Sequence, residues 1–126
     1  MAYIKALSYY LPDPILSNED LVKEFPGWSV EKIATKISVN QRHIVNKEET
    51  SVDLAIKAAE NLFKEYDNIN KNEIDFIVLC TQSPDYFLPT SACIIQNKLD
   101  LQVFCGAFDF NLGCSVTFMD LQLQKV

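Results

Sequence analysis

Residues 74–110 read IDFIVLCTQSPDYFLPTSACIIQNKLDLQVFCGAFDF, with an apolar run at each end and a helical pattern between them. The first run, Ile74 to Cys80, is β-rich and nearly all apolar, as is typical of a strand buried on both faces. Proline at the start of residues 89–99 predicts a helix over that range. Val103 to Phe110 predicts a further strand. This order predicts an α/β domain around a mixed or parallel sheet.

The residues before this segment predict one more strand and three helices. Ala2 to Leu11 is apolar and aromatic and ends at prolines, so it predicts a strand. A helix is predicted from Ser17 or Asn18 to Phe25, where an N-cap residue precedes acidic residues. A short second helix is predicted after Ser29, and Val39 to Asn46 is interpreted as an extended connection.

The clearest helix begins at Thr50-Ser51, which supply a cap. Apolar residues recur after it at helical spacing and predict one buried stripe: Leu54, Ala55, Ala58, Ala59, Leu62 and Phe63.

The composition indicates one globular domain without a nucleic-acid or membrane partner. The chain has 126 residues, of which 48% are hydrophobic and 22% are charged, and its formal net charge is −6. A negative chain lacks the basic stripe of nucleic-acid binders and the attraction to anionic lipid. No run reaches the roughly 18 apolar residues of a membrane span. The N-terminus lacks a signal-peptide pattern, so we expect a cytoplasmic protein.

The four cysteines contain one candidate nucleophile, Cys114. Cys80, Cys93 and Cys105 lie within apolar strand or helix patterns and are expected to be buried structural thiols. Cys114 instead follows Gly113 where a strand turns toward a helix, and backbone N–H groups at a helix start lower a thiol pKa. A buried structural cysteine is the alternative for Cys114. No CxxC pair is present, so a zinc or disulfide framework is not expected.

Other candidate groups are sparse. His43 is the single histidine, and a surface or packing role is favoured over a pairing with Cys114. Trp28 follows a Pro-Gly break and either stacks on a flat ligand or packs on the core. The acidic residues show no metal-ligand spacing, and the scattered glycines form no phosphate-binding loop.

Several motifs in order give the chain a specific resemblance. They are Tyr9-Tyr10-Leu11-Pro12 with Ser17-Asn18-Glu19-Asp20-Leu21, then Arg42-His43-Ile44, Ile74 to Val78 with Thr81 to Asp85, Pro89 to Gln96, and Ala107 to Ser115. Together they resemble the N-terminal half of β-ketoacyl-acyl-carrier-protein synthase III enzymes of the thiolase superfamily. The resemblance implies an α/β thiolase-like fold with an incomplete mixed sheet, and it matches Cys114 to the family nucleophile.

The resemblance also implies an activity and its partners. The cysteine takes an acyl group from acyl-CoA, and malonyl-acyl-carrier-protein then loses CO2 and attacks that group. No cofactor is implied, since acyl-CoA and malonyl-acyl-carrier-protein are substrates, and the complete enzyme is implied to be a homodimer. The family's catalytic histidine and asparagine lie in its C-terminal half and match nothing here, so we expect this chain alone to be inactive.

Two candidate CoA contacts follow from the same resemblance. Trp28 is the candidate for the family's adenine-stacking tryptophan, although the ungapped alignment back from His43 does not place one there. Lys36 stands near a position where the family often has an arginine, and Ser38 replaces an expected glycine. These departures weaken the expected CoA contacts.

The last residues depart most from the family pattern. After Cys114-Ser115 the family continues with a glycine, an aromatic residue and a helix, whereas residues 116–126 read VTFMDLQLQKV. Back-translation with one G restored before the Val116 codon permits Gly-Tyr-Phe-Tyr-Gly-Leu-Ala-Ile-Ala-Lys-Gly, in which the genetic code forces the first two glycines. We therefore expect residues 1–126 to be an N-terminal ketosynthase domain whose residues 116–126 are a frameshifted tail.

Two functions remain open from the sequence. The first is the nucleophile-bearing part of a ketosynthase of fatty-acid or related acyl-chain synthesis. The second is a non-catalytic thiolase-like binding or assembly module.

Overall fold

A computed structural model describes residues 3–111 in two units. The smaller unit spans residues 11–49, and the larger combines residues 3–10 with 50–111. The elements follow the chain in this order: β1 Ile15–Ser17, α1 Asn18–Glu24, α2 Val30–Ile37, β2 Gln41–His43, α3 Ser51–Glu65, a 3-10 turn Lys71–Glu73, β3 Phe76–Cys80, α4 Ser91–Lys98 and β4 Gly106–Phe110.

In the smaller unit, an antiparallel pair of short strands adjoins two helices. β1 pairs with β2, with Leu16 opposite Arg42. Asn18 is buried; its side chain donates to Val39 O at 2.8 Å and accepts from Arg42 Nη2 at 3.0 Å. These bonds fasten the start of α1 to β2 and the residues before it. The connection predicted to be merely extended therefore contains β2.

The helices of the smaller unit begin where they were predicted, each after a serine that caps it. The Ser17 hydroxyl accepts from the Asp20 amide, and the Ser29 hydroxyl accepts from the Lys32 amide. Each bond satisfies one of the amides that a helix start leaves unpaired. α1 and α2 are thus confirmed, and α2 reaches Ile37.

In the larger unit, two parallel strands are joined through α4. Ile77 of β3 lies opposite Ala107 of β4, and Leu79 lies opposite Asp109. The Thr81 amide donates to Phe110 O at 3.1 Å, which extends the pairing by one bond. Because the strands are parallel, their carboxyl ends meet at one edge of the sheet.

α3 packs its apolar stripe against α4, and residues of β3 pack around the same core. Thr50 and Asp53 form a reciprocal capping box at its start. The core consists of buried Val52, Ile95 and Leu99, with these residues packed around it: Ala55, Ile56, Ala59, Phe63, Ile77, Leu79, Ile94 and Leu101. The predicted stripe is correct for three of its members, Ala55, Ala59 and Phe63; Val52 and Ile56 complete the actual one.

The strand predicted at Ala2 to Leu11 is wrong for the described residues, which begin at Tyr3. Residues 3–11 adopt no regular structure. Their backbone carbonyls instead accept from α3 and its cap: Asn61 Nδ2 donates to Tyr9 O at 3.1 Å, and Tyr66 Oη donates to Leu7 O at 3.3 Å. An apolar aromatic pattern predicts a strand only where another strand supplies the pairing.

Burial of both faces of β3 is also a wrong prediction for the described residues. Ile77 and Leu79 face the helices, whereas Phe76 is 65% exposed. On that exposed face Phe76 meets Phe108 edge-on at 6.1 Å, and Phe108 meets Phe110 at 5.2 Å. The sheet therefore presents an aromatic row opposite its helical side.

In the part of the chain that the structure describes, no helix has the length and apolar character needed to cross a membrane.

The capping box gives a first test with a matched control. We expect Thr50→Val to raise hydrogen exchange in the first turn of α3 by about fivefold, because losing such a cap costs about 1 kcal/mol. Thr90→Val is the control, since the Thr90 side chain makes no cap bond to α4. Amide exchange by mass spectrometry measures both variants. Equal loosening of α3 and α4 by their respective changes would contradict the assigned cap.

Candidate functional site

The edge where β3 and β4 end is the candidate site, because the chain reaches Cys114 four residues after the end of β4 at Phe110. Ligands of open α/β sheets bind at the carboxyl ends of the strands. Cys114 itself and the predicted strand-to-helix turn around Gly113 lie outside the described residues. The geometry at this edge is therefore built from β3, β4, the loop after β3 and the start of α4.

Asp109 holds the start of α4 against β4. One carboxylate oxygen of Asp109 accepts from the Ser91 amide at 2.7 Å, and the other accepts from the Ala92 amide at 2.7 Å. Hydrogen bonds to a charged group contribute about 1.5–3 kcal/mol each, and a carboxylate also suits the positive end of a helix. Ser91 and Ala92 are both fully buried. Without Asp109 their amides would lose their partner in a place that water does not reach.

Two more side chains of α4 reach the backbone around β4. Cys93 Sγ lies 3.9 Å from Ala107 O, and Gln96 Nε2 donates to Cys105 O at 2.8 Å. Together with Asp109 they fix α4 to the strand at three successive levels. These contacts give a structural reason for the Pro89 to Gln96 motif.

The loop after β3 is fastened at its base and exposed at its tip. Ser51 Oγ lies 2.8 Å from Ser83 O and 3.2 Å from Asp85 Oδ1. Beyond this anchor, Tyr86 and Leu88 are exposed and Phe87 is 99% exposed. The loop thus presents apolar side chains beside the candidate edge.

The three described thiols occupy different environments. Cys105 is buried, and this burial is the main reason why the pKa of its thiol is raised. The nearby Asp75 carboxylate raises that pKa further. A raised pKa disfavours the reactive thiolate, so the structural role expected for Cys105 is supported. Cys93 is half-buried and accepts from the Thr90 hydroxyl at 3.2 Å. Cys80 is exposed, so its predicted burial is wrong.

His43 takes part in a local contact of the smaller unit. It is exposed in β2, and its Nδ1 lies within hydrogen-bonding distance of Pro12 O. This contact fits a packing role for the imidazole.

Trp28 lines a small apolar cleft in the smaller unit. The cleft has a volume of about 120 Å³, and its lining is Leu21, Phe25, Trp28, Ile33 and Ile37. Trp28 is 42% exposed, and Lys32 Nζ lies 5.1 Å from the centre of its ring. Lys36 is exposed on α2, one turn after Lys32. The indole thus packs on the helices and still presents part of its surface.

Two contacts near the candidate residues were not expected from the sequence. Lys32 over Trp28 could have been found from its place in the first turn of α2. The Asp109 contact had only a weak signal, because the acceptor lies 18 residues after the amide it caps.

Among residues 3–111, no three side chains of His, Cys, Asp or Glu cluster closely enough to hold a metal ion.

Comparison with known proteins finds relatives that are synthases. The chain is 40% identical over 106 residues to a β-ketoacyl-[acyl-carrier-protein] synthase III of Xanthomonas campestris, which is 84% of this chain and 32% of the relative. It is 40% identical over 115 residues to the enzyme of that name from Campylobacter jejuni, which is 90% of this chain and 35% of the relative. The chain therefore spans about a third of the length of these relatives. No family model matches it.

Solved structures agree with these relatives. A crystal structure of a 3-oxoacyl-(acyl-carrier-protein) synthase III superposes with a TM-score of 0.87 at 42% identity, covering 97% of this chain and 36% of that one. The synthase III of Thermus thermophilus gives a TM-score of 0.84 at 27% identity, with 97% and 37% covered. OleA of Xanthomonas campestris, at 19% identity and a TM-score of 0.76, with 94% and 38% covered, shares the fold. In sequence and in its thiolase-like fold, the chain is similar to β-ketoacyl-[acyl-carrier-protein] synthase III enzymes over about a third of their length, as an N-terminal part of such an enzyme would be.

Proposed function

We propose that this chain supplies the nucleophile-bearing part of an acyltransferase that condenses acyl-CoA with malonyl-acyl-carrier-protein. The observation that carries the proposal is the βαβ edge formed by β3, α4 and β4, because the chain runs directly from this edge to Cys114. The family relationship supplies the reaction class. The pathway is fatty-acid or related acyl-chain synthesis.

In the first half-reaction, Cys114 is the nucleophile. Its thiolate attacks the carbonyl carbon of the acyl-CoA thioester, and the CoA thiolate leaves as the acyl-cysteine forms. Backbone N–H groups after the cysteine favour the thiolate and the oxyanion that develops on the carbonyl oxygen. The chemistry needs no cofactor, because a thiol and a thioester exchange directly.

The second half-reaction needs residues that this chain does not contain. Malonyl-acyl-carrier-protein loses CO2, and the resulting carbanion attacks the acyl group and releases the Cys114 thiolate. The histidine and asparagine that assist this step in the family have no counterpart here, so the chain alone is inactive. The complete enzyme acts in the cytoplasm as a homodimer, with acyl-CoA and the acyl carrier protein as its partners and without nucleic acid or membrane.

The CoA contacts assigned to Trp28 and Lys36 are part of the proposal. An exposed indole surface suits a stacked adenine, and Lys36 and Lys32 supply two positive charges on one side of α2 in a chain of net charge −6. Lys32 lies over one part of the indole, so a nucleotide would share or displace that contact.

The alternative function is a non-catalytic thiolase-like binding or assembly module. The exposed apolar residues favour it: Phe87 is 99% exposed, Phe104 92% and Val103 90%. Exposed apolar surface of this kind marks sites of association. Exposed apolar surface does not distinguish this module from part of an enzyme, so labelling of Cys114 separates the two functions.

Acyl transfer to Cys114 tests the main proposal. When the chain is combined with a separately expressed C-terminal part of a related synthase, radiolabelled acetyl-CoA is expected to label Cys114 and no other thiol. Cys114→Ala should abolish the label, whereas Cys80→Ala, which removes an exposed thiol, should leave it unchanged. Peptide mapping locates the label. Labelling that persists in Cys114→Ala would refute the assignment.

Fluorescence of Trp28 tests the CoA contacts, because it is the single tryptophan. CoA is expected to quench it, and Lys36→Ala should weaken binding by up to about fivefold, the range of an exposed charge contact. Lys23→Ala is the matched control, since Lys23 lies on α1 and pairs with Asp20 at 2.8 Å. Absence of quenching, or equal weakening by both variants, would overturn this part of the proposal.

The genomic DNA around Val116 tests the frameshifted tail, residues 116–126. Glycine after Ser115 would permit close backbone approach to a thioester, whereas β-branched valine is stiff and a poorer helix former. One additional G should open a frame that continues into a segment with a histidine and an asparagine. Confirmed bases with no such frame downstream would show that the tail is native.

A further inference from the structure

Asp109 caps α4 in a way that differs from the other helix starts. α1, α2 and α3 are capped within three residues by the hydroxyls of Ser17, Ser29 and Thr50. Thr90 has the extended backbone of an N-cap, with φ −60° and ψ 149°, and yet its side chain makes no cap bond. Its hydroxyl donates to Cys93 Sγ instead. The amides of α4 are therefore served by a carboxylate from β4.

A remote cap does more than complete a helix. The two oxygens of Asp109 accept from consecutive amides, both at 2.7 Å, so the contact fixes the position and the direction of the carboxylate. Ser91 and Ala92 are fully buried, which leaves them little freedom to follow a displaced strand. Asp109 is the penultimate residue of β4. The end of β4 is thereby held against the start of α4.

We propose that Asp109 is a positioning residue for the nucleophile: by fastening the end of β4 to α4, it fixes the point from which the chain continues to Cys114. This inference rests on the proposed function of Cys114. The two carboxylate oxygens of Asp109 accept from the α4 amides. Asp109 acts through the strand, five residues before the cysteine.

Competing alkylation measures this role in the full chain. Iodoacetamide is shared between the Cys114 thiol and added glutathione, which is the reference because Cys80 lies opposite Phe110 and would respond to the same displacement of β4. In Asp109→Asn the ratio of the Cys114 rate to the glutathione rate is expected to fall at least fivefold at neutral pH, and the pH dependence of Cys114 alkylation should shift to higher pH. An unchanged ratio would overturn the proposal.

A second variant separates positioning from capping. Thr90→Asp in the Asp109→Asn background supplies a local carboxylate at the N-cap. We expect it to restore hydrogen-exchange protection in the first turn of α4 while the alkylation ratio stays low. A ratio that returns to the wild-type value would show that Asp109 only caps the helix.

Loss of the fold is monitored by buried Cys105, which should remain unreactive. If Asp109→Asn exposes Cys105, the experiment is repeated with Asp109→Glu instead, because the longer side chain keeps the charge and shifts the strand. α4 should then stay protected with a lowered ratio, and an unchanged ratio would again contradict positioning. Failure of acetyl-CoA to label the wild-type protein would refute the proposed function alone, since the alkylation ratio does not depend on acyl transfer.

Discussion

Parallel pairing of β3 with β4 is the constraint on which the larger unit depends. Parallel strands cannot be joined by a tight turn, so the chain crosses over between them, and α4 is that crossover. A crossover helix must also be held in one place on the sheet. Ile95 and Leu99 of α4 are buried in the core. The contacts of Asp109, Cys93 and Gln96 between α4 and the strand fix the direction and register of the helix. Thus α4 connects the two parallel strands, and its contacts with β4 fix where that strand lies along the helix.

The parts of the fold that could be predicted from the sequence are those with local causes. Ser17, Ser29 and Thr50 each bond an amide three residues ahead, so a short window contains both partners. The alternation of apolar strands with helical patterns is also set by residues that are close in sequence, and it correctly predicted an α/β domain. The ordered motifs pointed to the synthase III enzymes, to which the chain is similar in sequence and in fold.

The parts that could not be predicted depend on partners far along the chain. The residues from Tyr3 to Leu11 have the composition of a strand, but their carbonyls bond to side chains of Asn61 and Tyr66. Phe76 belongs to an apolar run and yet is largely exposed. Its exposure could not be predicted, because composition does not reveal whether one or both faces of a sheet are covered. Asp109 could be recognised as a cap only after β4 was placed beside α4.

Exposure of a thiol alone does not identify a nucleophile, because its reactivity also depends on which nearby amides are already bonded. Cys80 is exposed at the candidate edge, but the next amide, Thr81 N–H, is used in pairing with Phe110 O. The amides of Ser91 and Ala92 at the start of α4 are used by Asp109. A thiolate is stabilised by amides that are free to donate. The Thr81, Ser91 and Ala92 amides are already engaged, so none of these three is available to stabilise a thiolate at this edge.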